Sequence, residues 1–540
     1  MFMTPAICAW FLKVKPKAGG AANRFEGPLY VGYRGILQTI LRLRVIFLGA
    51  MVVLLFGAGY ALKFVDKEFF PLGDRNQYLV YFDLPAGSSI KKTDAAVRRL
   101  SSWLSDKTTN PEIASSVAYV AGGGPCFYLA LSQPDPDPHR AFILVNLKSA
   151  ATADDIIERT RKHVFDHFPE VQGEVKKMWM GASEPGLFQI RLIGPDAQVL
   201  LASSEQLIGT LKKLGGMLTA KQDWENPILK LTVAVDQARA RSAAITSEQI
   251  ANALNTYLSG SPVTDFREGN NVIPVILRGA QEERATLSGL QGLSVYSKQI
   301  DTWVPLTQMV DISGQWQPGR IKRHQQERTL TISAKHLALS AEEIHNKMKP
   351  ALEALELPLG HRWEIGGEIE DQADANSNLF STLPLCLGLI VILLVWQFNS
   401  FRRPAIIMLT IPLVLIGATL GLFVMNASFG FMVMLGFFSL AGIIINNGIV
   451  LIDRIDLERE TGSSPYQAIM TACLSRLRPI LITTLTTVLG LLPLIISQDP
   501  LFYGMASVIA FGLTVGTVFT LGVVPALYAL FFRIQHPNAT

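Results

Sequence analysis

Five long apolar blocks crowd the C-terminal part of the chain, residues 379–398, 405–425, 431–452, 479–496 and 506–532, and a sixth, 45–62, stands near its start. No other feature constrains the fold as much. Crossing a hydrocarbon layer of ~30 Å takes about 20 apolar helical residues, because no water is present there to satisfy the backbone. A buried core helix explains one such block and not six, five of them nearly contiguous. The sequence therefore predicts a membrane bundle of six spans. Hydrophobic residues make up 49% of the chain and charged residues 17%, so the polar residues are concentrated between the blocks. The net charge of +4 is small for 540 residues and forms no basic stripe, which argues against nucleic acid as a partner. Cys8, Cys126, Cys386 and Cys473 lie far apart, without the spacing of a disulfide framework or a zinc site.

Orientation follows from Lys and Arg in the short loops. Lys13, Lys15, Lys17, Arg24, Arg34, Arg42 and Arg44 precede the first span. With that side cytoplasmic, six crossings put Arg402, Arg403, Arg454, Arg459, Arg476, Arg478 and Arg533 on the same side. The opposite short loops, 426–430 and 497–500, contain neither Lys nor Arg. The long segment 63–378 is then extracytoplasmic. Within the linker 14–44, Leu29, Tyr33, Ile36, Leu37 and Ile40 recur at helical spacing opposite Arg34, Gln38 and Arg42, which predicts a helix lying along the membrane surface.

The long segment reads as an α+β region. Strands at 78–84, 114–120, 141–147 and 173–180 alternate with helices at 88–104 and after Thr152-x-x-Asp155, a candidate capping box. This is the β-α-β-β-α-β order of a ferredoxin-like split-βαβ unit, assigned to residues 63–184. A second unit occupies 185–235 and 325–372, interrupted at 236–324 by a subdomain with its own helix capped by Thr246-x-x-Gln249. The chain opens with Pro5-Ala6-Ile7 and Ala9-Trp10-Phe11-Leu12-Lys13 and closes with Pro525-Ala526-Leu527 and Ala529-Leu530-Phe531-Phe532-Arg533, one shared pattern. Residues 1–13 are too short to span and carry their basic residues after the apolar run, unlike a signal peptide. They read as the tail of a preceding transmembrane helix that closes an equivalent repeat.

Several motifs together resemble the resistance-nodulation-division (RND) multidrug efflux permeases of the acriflavine-resistance type. They are Met3–Ala9, Phe70-Pro-Leu-Gly-Asp74, Leu84-Pro-Ala-Gly87, Val235-Asp236-Gln237 with Ala240, Gly442–Asp453 and Arg476–Thr483. The resemblance implies the C-terminal half of such a permease, with spans seven to twelve, two porter subdomains and an inserted docking subdomain. It further implies a trimer in the inner membrane of a Gram-negative bacterium, with an N-terminal half, a periplasmic adaptor and an outer-membrane channel as partners.

Proton-coupled transport needs an ionisable group in the membrane whose pKa moves with its surroundings. None of the six spans contains Asp, Glu, Lys, Arg or His. The resemblance places the paired membrane aspartates in the N-terminal half. This chain would supply their polar surround: Asn446 and Asn447, Arg476 at the cytoplasmic mouth, and Thr483 as relay threonine. Asn446 stands where many multidrug members have lysine; an amide accepts or donates a hydrogen bond and supplies no counter-charge. The plainer use of Asn and Thr is to bond helix to helix.

The substrate-pocket candidate is the glycine-rich turn Gly122–Leu129, with Gly123, Gly124, Phe127 and Tyr128 placed roughly where the family has its switch loop. Such pockets are mainly apolar and aromatic; a hairpin loop with core aromatics is the alternative. The following Gln133-Pro-Asp-Pro-Asp-Pro-His139 reads as an exposed, stiff loop. No phosphate loop, cofactor motif or nucleophile–base constellation is present, so the chain reads as a secondary-transporter component and not an enzyme. The function expected is export of hydrophobic or amphiphilic compounds, inactive without the N-terminal half. Rival readings are heavy-metal export, which calls for soft ligands such as the Met178/Met180 and Met425/Met432/Met434 groups, and a half-subunit or broken-gene remnant without activity.

Overall fold

The structure, a computed structural model, describes residues 27–535 except Leu129, Ser132, Ala182 and Ala285. The expected helix tail at 1–13 lies outside the described residues.

Six helical segments are long and apolar enough to cross a membrane. After α1 (Pro28–Arg42), they are α2 (Arg44–Ala61, with a 3-10 turn to Phe64), α8 (Glu368–Phe398), α9 with α10 (Arg402–Thr410 and Val414–Met425), α11 (Phe431–Glu460), α12 (Pro465–Ile496) and α13 (Tyr503–Phe531). Helices α8, α11 and α12 run past the apolar blocks that mark them, because hydropathy registers only the part in hydrocarbon and not a polar helical extension into water. Pro412, which has no N–H to donate, sits in the 3-10 turn that separates α9 from α10.

Helix α13 is the hub. It is buried along most of its length and packs against α10, α11 and α12. Close approach there depends on missing side chains. A Cβ on Gly417 would lie 2.9 Å from the Gly512 backbone, and one on Gly512 would lie 2.1 Å from the Leu440 side chain. Helix α1 turns Leu37 and Leu41 inward and docks on α13, where the Tyr33 hydroxyl donates to the Leu521 carbonyl at 2.9 Å.

Outside the bundle stand two sheets of the same strand order. In the first, β1 (Gln77–Asp83), β2 (Ile113–Val120), β3 (Arg140–Leu147) and β4 (Gln172–Lys177) lie in the order β2-β3-β1-β4, all antiparallel. Tyr78, Val80 and Phe82 face helices α3 (Ile90–Ser105) and α4 (Ala153–His167), following the period of two along a strand. Thr152 does not cap α4 with its side chain; its hydroxyl donates to the Ser149 carbonyl at 3.1 Å, and Ser149 caps a preceding 3-10 turn instead. In the second sheet, β5 (Phe188–Ile193), β6 (Met217–Gln222), β11 (Glu327–His336) and β12 (Arg362–Gly367) lie in the order β6-β11-β5-β12, backed by α5 (Ala197–Lys212) and α7 (Ala341–Glu353).

Between β6 and β11 the chain leaves along a two-stranded ribbon. Strand β7 (Pro227–Val235) goes out and β10 (Val310–Pro318) returns, paired from Pro227↔Pro318 to Val235↔Val310. The ribbon carries α6 (Ser247–Leu258), opened by the Thr246/Gln249 capping box, and the hairpin of β8 (Ser261–Glu268) and β9 (Asn271–Leu277). The sheets join the bundle through residues 66–70. Phe429 donates to Asp66 O at 2.7 Å, Phe431 donates to Phe69 O at 3.1 Å, and the Phe69, Phe70 and Phe431 rings pack together.

Gly417→Leu should force α10 away from α13 and lower stability by about 1–3 kcal/mol, as overpacking of a close helix contact does. Thermal unfolding of the detergent-solubilised chain reads this; an unchanged midpoint would mean that this contact does not set the bundle.

Candidate functional site

Two regions collect the residues that carry chemistry. The first is a face of the bundle. On α11, Ser439, Gly442, Asn446 and Asp453 are exposed at helical spacing, while Asn447 is buried. On α12, Thr483 and Thr486 are exposed and half-buried Arg476 lies two turns nearer the cytoplasmic end. The two helices are adjacent; of the sequence-predicted residues Asn446 and Thr483 are exposed, Arg476 is half-buried and Asn447 is buried. Thr483 donates to Ile480 O at 2.8 Å, closing its hydroxyl on its own helix, whereas buried Thr484 meets Thr517 of α13 at 2.9 Å and ties helix to helix. Polar groups at this depth are costly against lipid.

The second region was not singled out by the sequence: a cleft of about 680 Å³ between the two sheets. On β4, Val175 points into the core while Glu174 and Lys176, two apart, point into the cleft. Lys176 pairs with Glu174 at 2.6 Å and with Glu184, on the connector to β5, at 2.9 Å. The second sheet completes the ladder: Lys221 of β6 reaches Glu174 at 2.7 Å, and Lys335 of β11 reaches Glu184 at 2.6 Å. Burial alone would raise the Glu174 carboxyl, yet Lys176 and Lys221 hold it down at about 2. Burial would lower Lys176, but Glu174 and Glu184 push it up. Asp83, on the same wall, is raised, chiefly by burial.

The cleft's rim carries a second interlock. Arg140 pairs with Glu225, and His139 lies between Asp137 (Nδ1 to Oδ1, 2.6 Å) and Glu225 (Nε2 to Oε2, 3.4 Å). Arg320 bridges Asp135 and Asp137. The segment 133–139 is therefore tied to the second module: Gln133, Asp135, Pro136 and Pro138 are exposed, as a stiff surface loop predicts, while His139 is only 3% exposed. Gly123 and Gly124 serve packing: a Cβ on Gly123 would lie 2.6 Å from Pro134 O, and Gly124 has φ +69° beside the Tyr119 ring. Phe127 and Tyr128 join a small core with Trp179, the Tyr128 ring edge-on to the indole at 6.0 Å. Neither lines the cleft, whose wall there is Ala130, Gln133 and Pro134. Among the described residues, no three His, Cys, Asp or Glu side chains converge as a metal shell.

A six-helix membrane bundle carrying two like-folded modules around a charged cleft is the architecture of a membrane transporter. The chain belongs to the AcrB/AcrD/AcrF family of RND permeases, whose model matches residues 1–532. It is a multi-pass inner-membrane protein with a periplasmic region. It is 24% identical over 533 residues, 93% of this chain and 48% of the relative, to the nickel-cobalt-cadmium resistance protein NccA of Alcaligenes xylosoxydans xylosoxydans. It is 26% identical over 356 residues, 64% of this chain and 33% of the relative, to the cobalt-zinc-cadmium resistance protein CzcA of Cupriavidus metallidurans. A solved heavy metal efflux pump superposes with a TM-score of 0.74 at 22% identity, covering 94% of this chain and 52% of that one. The chain thus spans about half the length of such relatives. They carry metal-resistance names and not the acriflavine type expected from the motifs.

Glu174→Gln removes the anion shared by Lys176 and Lys221 and should cost about 3 kcal/mol, as breaking one side of a buried pair does. A carboxyl held below its ordinary pKa of about 4.3 stabilises the fold fully above that value and loses this contribution as pH falls toward the folded value. The gap in unfolding midpoint between wild type and Glu174→Gln should therefore be constant from pH 7 to about 5 and close toward pH 2. A gap independent of pH would show that the ladder does not hold Glu174 ionised.

Proposed function

We propose that this chain forms the C-terminal half of a proton-driven RND efflux permease whose cargo is a divalent metal cation. The observation that carries the cargo reading is the row of acidic and basic side chains in the cleft, Asp83, Glu174, Lys176, Glu184, Lys221 and Lys335, set beside the apolar lining of Tyr81, Leu84, Trp179 and Leu187; a drug-binding pocket is mainly apolar and aromatic. Carboxylates suit hard and borderline divalent cations. The metal-resistance names of the relatives point the same way. Export of amphiphilic compounds rests on the Gly122–Leu129 turn, and its aromatics Phe127 and Tyr128 pack inward.

In this reading the two sheets with their helices are ferredoxin-like porter modules, and the segment borne on β7 and β10 is the docking module. The six apolar blocks contain no Asp, Glu, Lys, Arg or His, so in this reading the proton carrier sits on a second bundle, which covers Asn446 and Thr483. Asn446, Asn447, Arg476 and Thr483 form the polar surround of that carrier. The assembly is a trimer working with an adaptor and an outer-membrane channel.

Expression in an efflux-deficient, metal-sensitive Gram-negative host tests this. Tolerance to Co²⁺, Ni²⁺, Zn²⁺ or Cd²⁺ should rise only when an N-terminal RND half is co-expressed, with dye accumulation unchanged, and Asn446→Ala should cut the gain. Dye export without metal tolerance would overturn the cargo reading. Metal tolerance from the chain alone would overturn the half-permease reading.

A further inference from the structure

Any parting of the two modules must break two contacts at the floor of the cleft, Lys221–Glu174 and Lys335–Glu184, because each joins the β4 wall and its connector to the second sheet. When the modules separate, Lys221 and Lys335 leave with the second sheet, and Glu174 and Glu184 are left sharing Lys176 alone, one negative charge in excess within the ladder. The closed ladder leaves a divalent cation no room: Lys176 and Lys221 flank Glu174, and Lys176 and Lys335 flank Glu184.

We infer that Lys221 and Lys335 are tethered counter-ions that compete with divalent cationic cargo for Glu174 and Glu184, yielding the wall when the cleft opens and expelling the cargo when it closes. The inference rests on the metal-export reading for the identity of the cargo, and on the ladder alone for the competition. A lysine on a packed strand competes at high effective concentration without leaving the protein. Leaving these carboxylates buried with neither lysine nor cargo is the costly state, so closure and expulsion are linked. Two further groups lining the cleft, the Trp179 indole Nε1 and the Ser183 hydroxyl, are buried without a partner among the described residues and suit the water oxygens of a hydrated ion.

Equilibrium dialysis of the full chain in lipid nanodiscs against Cd²⁺ tests the competition. Lys221→Gln/Lys335→Gln should bind Cd²⁺ about ten-fold or more tightly than wild type, a gain of about 1.4 kcal/mol, and adding Glu174→Gln should abolish the gain. Lys221→Arg/Lys335→Arg, which keeps the charge, should bind as wild type does. Should the double glutamine variant not fold, Lys221→Gln alone carries the same prediction at smaller amplitude. Equal affinity in wild type and glutamine variants would overturn the inference, as would a gain that survives Glu174→Gln. A gain for the organic dication putrescine and not for Cd²⁺ would leave the competition standing while refuting the metal reading.

Discussion

Lys176 stands between Glu174 and Glu184, and each of those carboxylates reaches a lysine on the opposite sheet. The rest of the periplasmic region depends on this buried ladder. Taking charges out of water is expensive, and their mutual attraction offsets the cost only where the geometry is close and every charge is matched. Here the matching groups come from two modules, so the electrostatics favour one closed arrangement and penalise any partial separation. Arg140–Glu225, the His139 contacts and the Arg320 pairs repeat the device at the rim. An interface held by charge rather than apolar burial can open when another charge takes the place of the one withdrawn, a property suited to moving a cation.

The membrane part obeys the opposite chemistry. Around α13 the helices meet through Gly417, Gly512 and buried aliphatic side chains, and Thr484 with Thr517 satisfies its own polar atoms. Among the described residues, Ser439, Asn446 and Thr483 are exposed. Amides and hydroxyls in hydrocarbon seek partners on neighbouring helices. On the half-permease proposal, a second helical bundle would supply those partners.

Much of this was legible in the sequence. The six apolar blocks lie within the six membrane-length helices to within a residue at their ends, and the strand expected at 141–147 coincides with β3. Local chemistry was less dependable. Thr246 and Gln249 close a capping box, whereas the similar Thr152 does not, because Ser149 starts a 3-10 turn first and draws the Thr152 hydroxyl back. The cleft was only half visible. Glu174 and Lys176 flanking Val175 mark a charged strand face, but the register that sets Lys221 and Lys335 opposite them belongs to a different sheet and has no local signature. The stiff loop 133–139 was legible from its prolines, but the burial of His139 at its end was not, because Glu225 beside it belongs to the other module. Phe127 and Tyr128 suggested a ligand pocket, and only Trp179 reveals where their rings go.

The central claim is that the two modules must part at the charged ladder for cargo to move. The most direct measurement joins them beside the ladder, where the Ala86 N–H donates to Asn226 Oδ1 across the modules at 2.7 Å, with Ala86→Cys/Asn226→Cys linked by a short, reducible bismaleimide in a transport-competent assembly otherwise free of cysteine. The account predicts that metal transport stops on cross-linking and returns when the linker is cleaved. Transport at the uncross-linked rate with the bridge intact would contradict it.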